Sequence, residues 1–184
     1  MKKNKVVYLG NLPSIVQALQ SAPGIELVAW LVDREDAENP AWSGSLAQLE
    51  TLPIIYPVAS TKDIDQALAL IGTVDLGIIA NFGVILTAPN LQHTKHGFIN
   101  AHFGILPDYP GRTPVHDAIH KGERVVGVTL HQVILEVDAG PIVECRRIAV
   151  APGDPSFQLT FQRLESLARE MILSFITKKP QDIS

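Results

Sequence analysis

Asn100 and His102 stand two residues apart in the stretch 98–114, FINAHFGILPDYPGRTP. Alternate residues of a strand project from one side, and open α/β sheets place ligands at strand ends, so an amide and an imidazole share an edge where a ligand would lie. Such a pair can polarise a carbonyl and manage a proton. Downstream, Val137-Asp138-Ala139-Gly140-Pro141 sets a carboxylate in a tight loop before another strand. An aspartate that meets an imidazole raises its pKa and fixes its orientation. The same residues also read as turn formers, Asn100 and Asp138, and a strand cap, His102.

Other constellations carry less chemistry. The turn Gly10-Asn11-Leu12-Pro13-Ser14 has one glycine and a proline without an N–H. A phosphate cradle needs several converging backbone donors, so the turn reads as a strand-to-helix connection capped by Ser14. All six histidines fall between 93 and 131, and His93 with His96, and His116 with His120, have spacings that metal ligands use. No cysteine partner or HExxH glutamate accompanies them, so no metal is expected, and His131 reads as a packed core histidine.

The elements that position these groups alternate strand-length apolar runs with helix-like segments, the pattern of an α/β domain with a mainly parallel sheet. Strands are predicted at 5–9, 25–32, 53–56, 75–80, 97–101, 125–133 and 141–149, and helices at 14–21, 61–71, 113–121 and 156–177. Asp154-Pro155-Ser156 signals the start of the last helix. Phe157, Leu159, Phe161, Leu164, Leu167, Met171, Ile172 and Phe175 form its apolar stripe. The chain of 184 residues is expected to be one domain, 1–184. Hydrophobic residues at 46% and charged residues at 18% exclude disorder, collagen and coiled coil. With 15 basic against 19 acidic side chains there is no positive field to attract a phosphate backbone, and no nucleic-acid partner is expected. Cys145, the single cysteine, forms no internal disulfide, which fits a cytoplasmic setting. The apolar run Val6–Leu9 is too short for a signal-peptide core, and no run approaches the roughly 18 residues that span a bilayer, so no membrane association is expected. Residues 33–50 form an acidic insertion after the second strand, with Asp33, Glu35, Asp36, Glu38 and Glu50 against Arg34; a lid is one use for it.

The run Asn100-Ala101-His102, then Leu106-Pro107 and Gly111, then Asp138-Ala139-Gly140, resembles the 10-formyltetrahydrofolate-dependent formyltransferases, the group of the methionyl-tRNA, glycinamide ribonucleotide and nucleotide-sugar enzymes. Three motifs in order and spacing carry the likeness from about 75 to 150. It implies a single Rossmann-like domain with a mostly parallel, about seven-stranded sheet flanked by helices. It also implies transfer of a formyl group from 10-formyltetrahydrofolate to an amine, with Asn100, His102 and Asp138 as the catalytic triplet. Tetrahedral attack creates an oxyanion that needs donors aimed at it in advance. In this picture charged His102 and the Asn100 amide hold that oxygen, and Asp138 keeps the ring charged. The folate pocket carries over to Val84, Ile85 and Leu86 on one loop and Ile134, Leu135 and Glu136 on another, which suits a flat heterocycle with dry faces. Pro107, Gly111 and Arg112 fall on the loop beside the amine substrate.

Departures from the branches of the family bear on the acceptor. The methionyl-tRNA branch carries a basic insertion after the second strand and a C-terminal β-barrel domain, and neither is expected here. The glycinamide ribonucleotide branch has a glycine and serine phosphate loop where this chain has Gly10-Asn11-Leu12-Pro13-Ser14. A small-molecule amine remains, an amino sugar on a nucleotide or an amino-acid-derived amine. A homodimer and a partner subunit stay open. The alternative is a catalytically silent folate- or nucleotide-binding α/β module, which would have no need of Asn100, His102 and Asp138 together.

Overall fold

Val6, Val7, Tyr8 and Leu9 are wholly buried, and alternation sends Val6 and Tyr8 to one face of a sheet and Val7 and Leu9 to the other. A strand covered on both faces has no polar side, so an unbroken apolar run marks it. A computed structural model describes residues 3–38, 54–150, 153 and 157–178. Its strands are β1 (Asn4–Gly10), β2 (Ile25–Asp33), β3 (Ile54–Val58), β4 (Leu76–Ala80), β5 (Phe98–His102), β6 (Val125–Gln132) and β7 (Ile142–Ala149). They form one seven-stranded sheet in the order β3-β2-β1-β4-β5-β6-β7. The first five run parallel, and β6 and β7 pair antiparallel at one side. Each predicted strand is present with ends shifted by a residue or two; Pro53, expected to open β3, lies outside the described residues.

Helices cover both faces. They are α1 (Pro13–Ser21), α2 (Arg34–Ala37), α3 (Thr61–Ile71), α4 (Ala88–Leu91), α5 (Pro114–His120) and α6 (Gln158–Lys178). Ile15, Val16 and Leu19 of α1 and Leu164, Ala168, Met171, Ile172 and Ile176 of α6 fill one layer of core with Tyr8, Trp30 and Ile78. Ile64, Ala67 and Leu68 of α3 fill the opposite layer with Val7, Leu9 and Ile79. α3 starts in a reciprocal box, where Asp63 N–H donates to Ser60 Oγ at 3.3 Å and Ser60 N–H to Asp63 Oδ2 at 3.1 Å.

Two expectations change. α1 has Leu12 at its cap with no side-chain bond; the Leu12 N–H donates instead to the Tyr8 hydroxyl at 3.2 Å. Ser14 does not cap, because its hydroxyl donates to Glu165 Oε1 of α6 and ties the two helices together. In α6, Leu159 is 51% exposed while Thr160 is buried, because the buried stripe follows the i, i+4, i+7, i+8 series from Leu164. The start signal at 154–156 and most of the acidic insertion, residues 39–50 of it, lie outside the described residues.

Candidate active site

The order of the sheet reverses beside β1, whose neighbours are β2 and β4, and a crevice forms at such a point outside the strand ends. A cavity of about 630 Å³ lies there, lined by Asn11, Asp33, residues 81–86, Asn100, His102, Gly111, Arg112, His131 and residues 133–138.

β5 delivers Asn100 and His102 from alternate positions, as the strand period requires. The His102 ring is buried, and its Nε2–H donates to the Tyr109 carbonyl at 2.7 Å. A carbonyl acceptor places the proton on Nε2 and leaves Nδ1 bare in the neutral ring. Gly104 makes the contact fit: a Cβ there would lie 2.6 Å from the Tyr109 oxygen and 2.7 Å from His102 Nε2. On its other side His102 Nδ1 faces Asp138 Oδ1 at 3.5 Å.

Asp138 reaches the site from the β6–β7 connection with a left-handed backbone, φ 55°, a conformation that aspartate tolerates better than most residues. Its Oδ2 accepts the Gly111 N–H at 2.8 Å. Gly140 lets this loop close on β6, since a Cβ there would lie 1.8 Å from the Gln132 carbonyl oxygen. Burial pushes the Asp138 carboxyl up, but His131, the Gly111 N–H and the His102 ring outweigh it and hold the group below the ordinary 3.8.

Asp138 does raise the His102 pKa, but the expectation that it keeps the ring charged does not hold. Burial is the largest influence and lowers it from the ordinary 6.5; the Tyr109 bond and Asp138 raise it by less, and His131 lowers it further. At 3.5 Å the aspartate is too far for a good hydrogen bond, so it cannot offset the ring's loss of water. Burial thus favours the neutral form of His102 near neutral pH.

His131 is the residue whose role the sequence reading missed. It is buried, as a core histidine should be, yet its Nε2 lies 3.2 Å from Asn100 Nδ2 and 3.5 Å from Asp138 Oδ1. The available signal was register: β6 pairs antiparallel with β5, which sets His131 directly opposite Asn100.

The six residues expected to meet folate all line the cavity. Ile85 and Leu135 are 61% and 57% exposed, unusual for large apolar side chains, whereas Leu86 is core. Gly111 and Arg112 line the cavity too; Pro107 is exposed and does not. Elsewhere in the lining, Asp33 Oδ2 accepts from the Asn11 side-chain amide at 2.9 Å and from the Gly83 N–H at 3.0 Å. Asp36 beside it has its carboxyl raised by burial and by the charges of Asp33 and Glu35. Arg34 is drawn toward Asp63 at 3.5 Å. The His116 and His120 rings pack edge to face at 4.4 Å, and among the described residues no group of three or more His, Cys, Asp or Glu side chains is disposed to hold a metal ion.

An open α/β sheet thus brings an amide, an imidazole and a carboxylate to one crevice beside exposed apolar loops, groups able to polarise a carbonyl and move a proton. A family model described as formyl transferase matches residues 40–176, and the chain belongs to that family. It is 36% identical over 135 residues to the methionyl-tRNA formyltransferase of Thermotoga neapolitana, a match that covers 72% of this chain and 42% of that protein. The chain thus spans about two fifths of the length of that curated relative. Among solved structures, the phosphoribosylglycinamide formyltransferase from Anaplasma phagocytophilum superposes with a TM-score of 0.78 at 23% identity, covering 98% of this chain and 89% of that one. The Brucella melitensis phosphoribosylglycinamide formyltransferase gives 0.76 at 24% identity, covering 100% and 98%. These two likenesses are likenesses of fold.

Proposed function

We propose that this domain transfers the formyl group of 10-formyltetrahydrofolate to a primary amine, with Asn100, His102 and Asp138 doing the chemistry. The observation that carries the reading is the meeting of all three at one cavity in a chain of the formyl transferase family. The cavity size falls in the range of small-molecule sites, and exposed Ile85 and Leu135 on its lining loops suit the faces of a pterin ring. Val84, Leu86, Ile134 and Glu136 would complete that wall.

The residues act as follows. The acceptor nitrogen bonds to the formyl carbon, and the carbonyl π pair moves onto oxygen, where a side-chain N–H of Asn100 donates. The proton shed by the attacking amine passes to neutral His102 at Nδ1, the nitrogen that the Tyr109 bond leaves bare. Asp138, facing that atom, balances the imidazolium charge. Return of the oxygen pair breaks the bond from carbon to the donor nitrogen, which takes the proton from His102. The products are a formamide and tetrahydrofolate, and the ring is neutral again.

The acceptor is proposed as a small amine such as an amino sugar on a nucleotide or an amino-acid-derived amine. Support comes from the first turn, whose Asn11 is bonded to a carboxylate, and from acidic Asp33, Glu35 and Asp36 in the cavity wall, which disfavour a phosphate there. A cytoplasmic setting accompanies the reading.

The test follows tetrahydrofolate release by absorbance with a panel of amino sugars and amino-acid amines, alongside glycinamide ribonucleotide and methionyl-tRNA. Amine-dependent release is expected, falling about 100- to 1,000-fold in His102→Ala with the melting temperature kept. Folate-induced stabilisation without release for any amine would mean a binding module instead. Release with methionyl-tRNA alone would keep formyl transfer and replace the small acceptor.

A further inference from the structure

We propose that His131 is a positioning residue that sets which way the Asn100 amide points; its catalytic consequence rests on the formyl-transfer reading above. The ring is pinned at both nitrogens. Nδ1 lies 2.9 Å from the Gln132 carbonyl oxygen, which can only accept, so in the neutral ring the proton sits on Nδ1. Nε2 is then a bare acceptor, and the group within reach is Asn100 Nδ2 at 3.2 Å. An amide has one donor end and one acceptor end, and this bond commits the donor end to His131. One N–H serves the ring, and the second is left for a ligand in the cavity that Asn100 lines.

Without an acceptor at position 131, the amide loses the contact that selects its nitrogen, and a flipped amide would present a carbonyl oxygen to the developing oxyanion. Such an orientation repels the charge it should hold. His131 is 2% exposed and stands opposite Asn100 on the neighbouring strand; although its ring reaches the cavity lining, its polar contact there is the Asn100 amide, through which it acts. Its second neighbour, Asp138 Oδ1 at 3.5 Å, is served only if Nε2 carries a proton. The two partners thus demand opposite states of one nitrogen, and the shorter contact together with the Gln132 bond selects the state that holds Asn100.

Two measurements test this. Ring ¹⁵N shifts at neutral pH, read independently of turnover, should show His131 protonated at Nδ1 and bare at Nε2; a proton on Nε2 overturns the proposal. Turnover is then compared in a cycle of His131→Leu, Asn100→Ala and the double variant, with His131→Gln as the conservative replacement that keeps an acceptor. The expected kcat loss in His131→Leu is about 100-fold, with KM for the folate donor unchanged and with His131→Gln restoring most of the rate. In the Asn100→Ala background the same Leu substitution should cost nothing further. Equal losses in both backgrounds, or an unchanged kcat in a folded His131→Leu protein, would mean a packing role and overturn the assignment. A wild-type protein with no turnover would remove the formyl-transfer reading while leaving the ring measurement to decide the orientation.

Discussion

The two nitrogens of His102 are in opposite situations, one bonded to the Tyr109 carbonyl and one facing a carboxylate across 3.5 Å. That asymmetry dictates the sign of the pH response. A base must be neutral to act, and burial holds the ring below its ordinary 6.5, so kcat at saturating acceptor should be full at neutrality. Its acid limb should lie below pH 6.5; a limb above that value would mean that Asp138 outweighs burial. Asp138→Asn removes a raising influence, so the limb should move to lower pH while kcat drops by about 100-fold, because the imidazolium formed in the reaction loses its counter-charge. A kcat–pH series on both proteins checks the pair. Asn100, His102 and Asp138 were legible in the sequence because their order and spacing carry them. The resting charge of His102 and the grip of His131 on Asn100 were not, since both depend on distances and burial that exist only after β5 and β6 pair.

Among the elements, the cavity depends on a staple between strand ends. Asp33 closes β2 and accepts from Asn11, after β1, and from Gly83, after β4, so one carboxylate fixes the first turn and the start of the loop proposed to meet folate. Hydrogen bonds to a charged group contribute about 1.5–3 kcal/mol, and these are partly solvated. Asp33→Ala should therefore lower stability by about 1–2 kcal/mol in a denaturant titration. Because Gly83 leads into Val84 and Ile85, KM for the folate donor should rise, with kcat much less affected. An unchanged KM would separate the staple from the pocket. The strands themselves were readable because β1 and β4, covered by helices on both faces, need unbroken apolar runs. The single-turn helices α2 and α4 were not, as four residues are too few to display a helical period. Leu159 and Ser14 show the same limit: which side of a helix faces the core, and what a hydroxyl meets, is decided by the neighbouring helix.

At the scale of the whole molecule, the parallel part of the sheet and the antiparallel pair β6–β7 meet beside β5, and the cavity straddles that seam. One wall comes from the β4 loop, on the parallel side, and the other from the β6–β7 loop, on the antiparallel side. A flat ligand held between Ile85 and Leu135 would tie both parts of the sheet together in the folded state alone, so it should raise the stability of the whole domain. At a hundredfold excess of free ligand over Kd the gain is about 2.7 kcal/mol, well within reach of a thermal melt. Ile85→Asp with Leu135→Asp gives the contrast. Both positions are more than half exposed, so the unliganded melt should move by about 0.5 kcal/mol or less per site, while charge on the apolar walls should abolish the shift given by tetrahydrofolate. A tetrahydrofolate shift that survives both substitutions would place the ligand elsewhere than between these loops. No shift in the wild-type protein would remove the folate pocket, whatever the geometry of Asn100, His102 and Asp138.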